Sequence, residues 1–130
     1  MDDALEQLIR QRAKSLCEYC QLPRKASRLG FSVDHIIARQ HNGATDETNL
    51  ALACPFCNRH KGPNIAGIDP LTRQLTRLFH PRRDPWRDHF RWQGVTLIGL
   101  TDVGRATIAV LAINDQTQIA IRNALAEEGS

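Results

Sequence analysis

The chain has 130 residues, of which 42% are hydrophobic and 24% are charged, and its formal net charge is +3. This length suits one domain with a modest core and is too short for two ordinary domains. No run reaches the roughly 20 apolar residues that span a bilayer, and the acidic start of the chain lacks the features of a secretory signal peptide, so we expect a cytoplasmic protein that is not inserted in a membrane.

The first half of the chain carries the patterns of two helices and two strands. Asp2 and Asp3 stand where negative charge suits the amino end of a helix, and Pro55 and Gly62 bracket a second, shorter helix. Apolar spacing of three and four favours helix, whereas alternation favours strand. In chain order we predict an amphipathic helix over 4–15, a strand over 31–36, a loop over 41–46, a strand over 49–53 and a helix over 55–60.

The second half of the chain also carries the patterns of both helices and strands. Asp84 followed by Pro85 is typical of a capped helix start, and Thr101–Asp102 and Asn114–Asp115 are further capping signals. These patterns predict a hairpin with its turn at 68–74, a short helix from 84 onwards, a β-rich run over 94–100, and helices ending near 113 and 128. The whole is an α+β fold, which we treat as one domain over 1–130, with a core at about 17–63 and an elaboration at about 64–130.

All four cysteines of the chain fall into two Cys-x-x-Cys pairs. This spacing lets both sulfurs of a pair reach one tetrahedral ion, and two pairs complete a four-thiolate site. In a reducing compartment, paired cysteines bind a metal more often than they form disulfides. We therefore predict a structural Zn²⁺ held by Cys17, Cys20, Cys54 and Cys57, with iron–sulfur or redox chemistry as the alternative.

The middle of the chain is cationic, whereas its acidic residues concentrate at the two ends and at Asp46 and Glu47. Such a distribution suits a polyanion, because phosphate contacts supply most of the sequence-independent affinity for nucleic acid. A solvated charged surface is the alternative interpretation. The candidate phosphate contacts are Arg39, Arg59, Lys61, Arg82 and Arg83.

Asp34 and His35 stand side by side on the first predicted strand, where an isolated Asp-His pair is weak evidence for a site. Their context is specific. The order Cys-x-x-Cys, Val-Asp-His-Ile, Asn-Leu and Cys-x-x-Cys-Asn-x-x-Lys over 17–61 resembles the HNH endonuclease family, in its version with a four-cysteine zinc site. This resemblance implies a ββα-metal core stapled by zinc, with an N-terminal helix and a C-terminal hairpin plus helices around it.

The resemblance also implies a role for each motif residue. His35 would be the general base that takes a proton from the attacking water, since a neutral imidazole can do this near pH 7. Asp34 would be an oxygen ligand for a catalytic Mg²⁺ or Mn²⁺. Asn49 would pin the loop between the two strands and so orient the base.

The third motif position departs from the commoner histidine, because Asn58 follows the last cysteine. An amide oxygen can still ligate a hard cation, although it is a weaker ligand for softer metals. His60 is the alternative second ligand, and the two are separated by two residues on a helix and so face different ways. The site prediction leaves this choice open and adds Lys61 as a phosphate contact.

The sequence thus predicts a metal-dependent endonuclease that hydrolyses DNA phosphodiester bonds and nicks one strand per active site, acting as a monomer or a homodimer. A catalytically inactive, zinc-stapled DNA-binding module is the main alternative, and a zinc ribbon for protein contacts is a third. Asp34, His35 and Asn49 favour the enzyme, because a binding module has no need of them. RNA as a substrate, site preference and biological role stay open.

Overall fold

The computed structural model describes residues 1–129 as an α+β fold of five helices and three two-stranded antiparallel sheets. Two short 3-10 turns, Arg24–Ala26 and Arg39–His41, lie in the loops on either side of the first strand. The elements in chain order are α1 (Asp3–Ala13), β1 (Ser32–His35), β2 (Leu50–Ala53), α2 (Pro55–Lys61), β3 (Ala66–Ile68), β4 (Leu75–Arg77), α3 (Trp86–His89), β5 (Phe90–Gln93), β6 (Thr96–Gly99), α4 (Asp102–Leu111) and α5 (Gln116–Glu127). None of the helices in this described part is long and apolar enough to cross a membrane.

Helix α1 begins at a side-chain cap and ends at a left-handed residue. The Asp2 carboxylate accepts a hydrogen bond of 2.8 Å from the Leu5 backbone N–H, which satisfies one of the free donors at the helix start. Lys14 and Ser15 have φ values of 55° and 62°, which end the helix two residues earlier than the sequence pattern predicts. Ile9, fully buried, anchors the helix to the rest of the fold.

The central unit is the hairpin β1–β2 followed by α2. In the antiparallel register, Asp34 lies opposite Ala51 and His35 opposite Leu50. Pro55 occupies the first turn of α2, where its missing N–H costs nothing. The chain therefore runs from the strand that carries Asp34 and His35, through a loop and a return strand, into the helix that carries Asn58 and His60.

The C-terminal half adds two hairpins and two helices. The β3–β4 hairpin and the helices α4 and α5 confirm the sequence predictions, and Thr101 and Asp115 cap these helices with their side chains, as expected. The strand β5 is not among the predicted elements. Phe90–Gln93 alternates apolar and polar residues, but the run is only four residues long and directly follows a predicted helix, and it forms a strand by pairing with β6.

The predicted capping role of Asp84 is wrong. Helix α3 begins after Pro85 without a side-chain cap. Asp84 instead accepts hydrogen bonds from the Arg77 guanidinium, at 2.7 and 3.2 Å, and from the His80 backbone N–H, at 2.9 Å. A bidentate ion pair of this kind binds the carboxylate more strongly than a backbone N–H at a four-residue helix could.

The two halves share one continuous cluster of buried residues. It extends from Cys17 and Phe31, through Leu52 and Phe79, to Leu111 in α4. Polar contacts add to it, since the Trp86 indole N–H donates to the Tyr19 carbonyl at 2.9 Å. The segment that carries Cys17 and Cys20 is therefore packed directly against the C-terminal elements.

Candidate metal centres and active site

The four cysteines meet at the junction between the turn after α1 and the start of α2. Each is 3% exposed or less, and their sulfur atoms all lie within 4.8 Å of one another. The Cys20 and Cys54 sulfurs are 3.9 Å apart, close to the value of about 3.8 Å that a tetrahedron with zinc–sulfur bonds of about 2.3 Å requires. The donor set therefore fits a structural Zn²⁺ that four thiolates would enclose.

Local backbone structure presents these thiols. The backbone N–H of Gln21 donates to the Cys17 carbonyl at 2.8 Å, and Gln21 itself has a φ of 63°, which closes the first turn tightly. At the second pair, the Cys57 backbone N–H points at the Cys54 sulfur. Hydrogen bonds from the other three thiols hold the pKa of Cys54 well below its usual range, whereas hydrogen bonds within the cluster raise the pKa of Cys20 and of Cys57, so the four thiols share their protons as one group.

His35 ends strand β1, and its ring is held by a threonine of the following loop. The distance from Nε2 of His35 to Oγ1 of Thr45 is 2.8 Å. When Nε2–H is the donor in this pair, the lone pair of Nδ1 is available as a base. Sequence reasoning missed Thr45, since a threonine in a turn-rich loop gives no signal of its own.

Asp34 contributes a carboxylate oxygen that the protein leaves unsatisfied. Its Oδ2 is buried and makes no hydrogen bond within the described residues. Burial raises the pKa of Asp34, and the charges of His35 and Lys61 oppose this shift. A buried carboxylate oxygen without a donor is costly unless a ligand binds it, so this oxygen fits a hard cation such as Mg²⁺ or Mn²⁺.

The Asn49 side chain closes the loop between β1 and β2. Its Oδ1 accepts from the Ile37 backbone N–H at 2.9 Å, and its Nδ2 donates to the carbonyls of Ile37 and Ala44 at 3.0 and 2.8 Å. Gly43 completes this arrangement, because a Cβ at that position would lie 1.7 Å from the Ile37 carbonyl oxygen. One buried amide thus fixes both ends of the segment 37–44 that follows His35.

Asn58 and His60 lie on α2, and only the side chain of His60 forms a hydrogen bond within the described residues. The Nδ1 of His60 is 2.9 Å from the Phe56 carbonyl, and its ring stacks on that of Phe56 at a centroid distance of 4.1 Å. This contact requires Nδ1 to carry a proton and leaves Nε2 as the acceptor. The side chain of Asn58 is half-buried and forms no hydrogen bond within residues 1–129. Both are therefore still able to bind a cation.

The four thiols are the one group of three or more His, Cys, Asp or Glu side chains in residues 1–129 close enough together to hold a metal ion. Asp34, His35 and His60 do not form a second such group. A catalytic cation would therefore depend on few protein ligands, which is typical of Mg²⁺, a cation that keeps several waters and binds substrate phosphates.

Two of the residues predicted to contact phosphate are buried and already bonded. Lys61 is 5% exposed and its Nζ donates to the Ile36 carbonyl at 2.7 Å, and burial lowers the pKa of this lysine. Arg82 forms a largely buried ion pair with Glu18, whose other oxygen accepts from the Leu52 backbone N–H. The structure therefore does not support these two as surface phosphate contacts, because their charged groups already serve to join parts of the fold.

The other three predicted phosphate contacts are exposed. Arg39 lies in the 3-10 turn four residues beyond His35, and Arg59 extends from α2 over the Phe56 ring, at 5.5 Å from its centroid. Arg83 borders a cavity next to the end of α2. Arg39 is close to His35 in the chain, whereas Arg59 and Arg83 lie on other elements, and the predicted role of all three stays a prediction.

Residues 17–64, a little over a third of the chain, match the family model described as HNH endonuclease. The match begins at the first cysteine and ends just beyond α2, so it includes both cysteine pairs, Asp34, His35, Asn49 and Asn58. No curated protein and no solved structure matches the chain.

Proposed function

We propose, from the match of residues 17–64 to the HNH endonuclease family, that the chain is a metal-dependent endonuclease that hydrolyses DNA phosphodiester bonds. The family match indicates nuclease-type activity. The observation that carries the proposal further is the buried Oδ2 of Asp34, which has no protein donor and stands next to His35 at the end of β1.

The cation site of the proposal consists of Asp34 with Asn58 or His60. Asp34 supplies negative charge, and the α2 residue supplies a neutral oxygen or nitrogen donor. A Mg²⁺ or Mn²⁺ held there would supply positive charge that stabilises the negative charge of the reacting phosphate. The structural Zn²⁺ has a separate role, because four thiolates leave it no open position.

His35 accepts a proton from the water that attacks phosphorus. In the tautomer in which Nε2–H of His35 donates to Oγ1 of Thr45, this contact orients the ring and leaves Nδ1 as the proton acceptor. Asn49 is a positioning residue, since its three hydrogen bonds hold the backbone directly after His35. Hydrolysis in this manner yields a 3′-hydroxyl and a 5′-phosphate, as the resemblance implies.

The number of strands that the protein cuts depends on the number of active sites that act together. One site cuts one strand, so a monomer nicks, and a double-strand break requires a homodimer or two successive events. Exposed Arg39, Arg59 and Arg83 contact the DNA backbone.

We take 1–130 as one domain, because a single buried cluster includes residues of both halves. We place the protein in the cytoplasm, where the four free thiols stay reduced.

Conversion of supercoiled plasmid to open circles tests the proposal. Purified protein is incubated with plasmid in Mg²⁺, in Mn²⁺ and without added divalent metal, beside the variants His35→Ala and Asp34→Asn. We expect open circles from wild type with a divalent metal, and a loss of roughly a hundredfold or more in His35→Ala, the usual contribution of a general base.

Zinc content and circular dichroism of both variants are the controls, since loss of activity is informative only in a folded protein. Exposed His41→Ala is the matched variant and should retain activity. Retarded migration of plasmid without cleavage in any divalent metal would instead support the inactive DNA-binding module.

A further inference from the structure

A cavity of about 370 Å³ lies beside the candidate active site. Its walls come from the chain directly after His35, from the end of α2 and from the segment after β4. The apolar part consists of Ile36, Ile37, Ile65, Leu78 and Phe79, and charged or polar groups form the rest. This volume is within the range of pockets that enclose small ligands.

The polar groups of the cavity are predominantly hydrogen-bond donors. His80, only 8% exposed, accepts the Arg82 backbone N–H at its Nδ1, so the proton of the neutral ring is on Nε2. Burial and the nearby Arg83 lower the pKa of His80, which keeps the ring neutral. Arg83 is exposed, its backbone N–H donates to the His80 carbonyl at 3.0 Å, and its side chain makes no hydrogen bond or ion pair within residues 1–129.

The acidic group of the cavity is already neutralised. Asp84 accepts from the Arg77 guanidinium through both carboxylate oxygens and from the His80 backbone N–H. Arg83 and the neighbouring Lys61 therefore leave the cavity with a positive balance. A ligand with an apolar or flat part and a negative group is complementary to these walls.

Two residues of the cavity wall, Ile36 and Lys61, adjoin the proposed active site. Ile36 directly follows His35, and its carbonyl accepts the Lys61 ammonium. That ammonium also opposes the shift in the pKa of Asp34, so the charged groups of site and cavity lie close together. A nucleotide bound in the cavity would thus adjoin the scissile phosphate.

We infer that this cavity binds an unpaired nucleotide of the substrate strand next to the cut, with the base against Ile36, Ile65 and Leu78 and the phosphate at Arg83. A stacked base pair cannot enter a concave cavity, whereas a nucleotide turned out of the helix, or part of a single strand, can. The inference rests on the proposed function and narrows its substrate class to DNA with an unpaired nucleotide at the cleavage position.

Methyl-labelled protein titrated with dAMP tests the cavity without any cleavage. We expect the methyl signals of Ile36, Ile65 and Leu78 to shift with a millimolar Kd, while that of Ile119 on α5 stays unchanged. Ile65→Trp, which fills the mouth of the cavity, and Arg83→Ala should each weaken binding about tenfold, whereas Arg91→Ala, an exposed arginine on β5, should not.

Deoxyadenosine and inorganic phosphate are titrated in parallel. Weaker binding of both than of dAMP supports a nucleotide site. Equal shifts with phosphate alone would show an anion site without a base pocket, and the absence of shifts at these methyls would show no site at all; either result overturns the inference.

Cleavage of two labelled duplexes, identical except for one unpaired nucleotide in the cut strand, then tests the substrate class. We expect about tenfold faster cleavage of the unpaired substrate by wild type and by Arg91→Ala, and a ratio near one for Ile65→Trp. Equal rates for the two duplexes in wild type would refute the substrate class while the proposed endonuclease stands. Cleavage of neither DNA would count against the proposed endonuclease activity. The dAMP titration would then still show whether the cavity binds a nucleotide.

Discussion

His35 and Thr45 form the hydrogen bond that sets the chemistry of the proposed base. The two residues are ten positions apart, on the end of β1 and in the loop beyond it. A histidine without an orienting partner samples several ring positions and both tautomers, which lowers the fraction able to accept a proton from water. Thr45 is therefore a positioning residue of the proposed reaction.

Thr45→Val keeps the size of the side chain and removes its hydroxyl. We expect kcat to fall roughly tenfold with little change in KM, because substrate binding does not use this hydroxyl whereas ring orientation does. Thr45→Ser should restore most of the rate. A rise in KM at constant kcat would instead assign Thr45 to DNA binding.

At the scale of elements, two contacts fix the β3–β4 hairpin against α4. The carboxylate of Asp69, at the hairpin turn, is fully buried and pairs with the Arg105 guanidinium at 3.0 and 2.9 Å. Gly67, on β3, faces Val110 so closely that a Cβ would lie 2.3 Å from a Val110 methyl. One ion pair and one close packing contact thus hold the hairpin against α4, and substitutions can test each of them.

The ion pair predicts a pH dependence of stability. Hydrogen bonds from Arg105 hold the pKa of Asp69 well below its usual range, so the pair stabilises the fold fully above the unfolded pKa of about 4 and loses this effect as the pH falls through the folded pKa. Urea unfolding should show Asp69→Asn less stable than wild type by the same margin at about pH 7 and pH 5, and by a smaller margin below about pH 4.

Zinc content is checked at each pH. The exposed Asp88→Asn is the matched control, and its free energy of unfolding should differ little from that of wild type. A margin between Asp69→Asn and wild type that grows on acidification would contradict the assigned ion pair.

The steric contact predicts a compensating pair of substitutions. Gly67→Ala should cost about 1–3 kcal/mol, the usual effect of overpacking, because the new methyl meets Val110. Gly67→Ala combined with Val110→Ala should be more stable than Gly67→Ala alone, since the second change removes the opposing methyl. Additive losses in denaturant unfolding would show that Gly67 is needed for another reason.

At the scale of the whole molecule, the four-cysteine cluster joins the two halves of the chain. The turn over 17–21 contacts the C-terminal half at three points: the Glu18 carboxylate pairs with Arg82, the Tyr19 backbone carbonyl accepts the Trp86 indole N–H, and the Gln21 side-chain oxygen accepts the Trp92 indole N–H. The cluster also joins α1 to α2. Stability of the entire chain should therefore depend on the metal.

Removal of the metal should unfold the chain in one step. We expect one Zn²⁺ per chain and, on titration with a strong chelator, simultaneous loss of near- and far-UV circular dichroism, since the free energy of binding such a zinc contributes directly to folding. Cys57→Ser should behave like the chelated protein. A chelated protein with native near-UV dichroism and cooperative unfolding would show that the apolar core suffices.

Local spacing along the chain predicts the α+β class, most of the helices and strands, and the four cysteines that meet in one cluster, because Cys-x-x-Cys pairs, apolar periodicity and capping residues such as Thr101 act within a few positions of the chain. Features that depend on residues far apart in the chain could be read only from the folded molecule. The tertiary structure buried Lys61 against Ile36 and Arg82 against Glu18, left the Asp34 oxygen without a donor, gave His35 its partner Thr45, and made Phe90–Gln93 a strand by pairing it with β6. A charged side chain contacts phosphate or joins two elements according to its burial, and burial is a property of the packed chain as a whole.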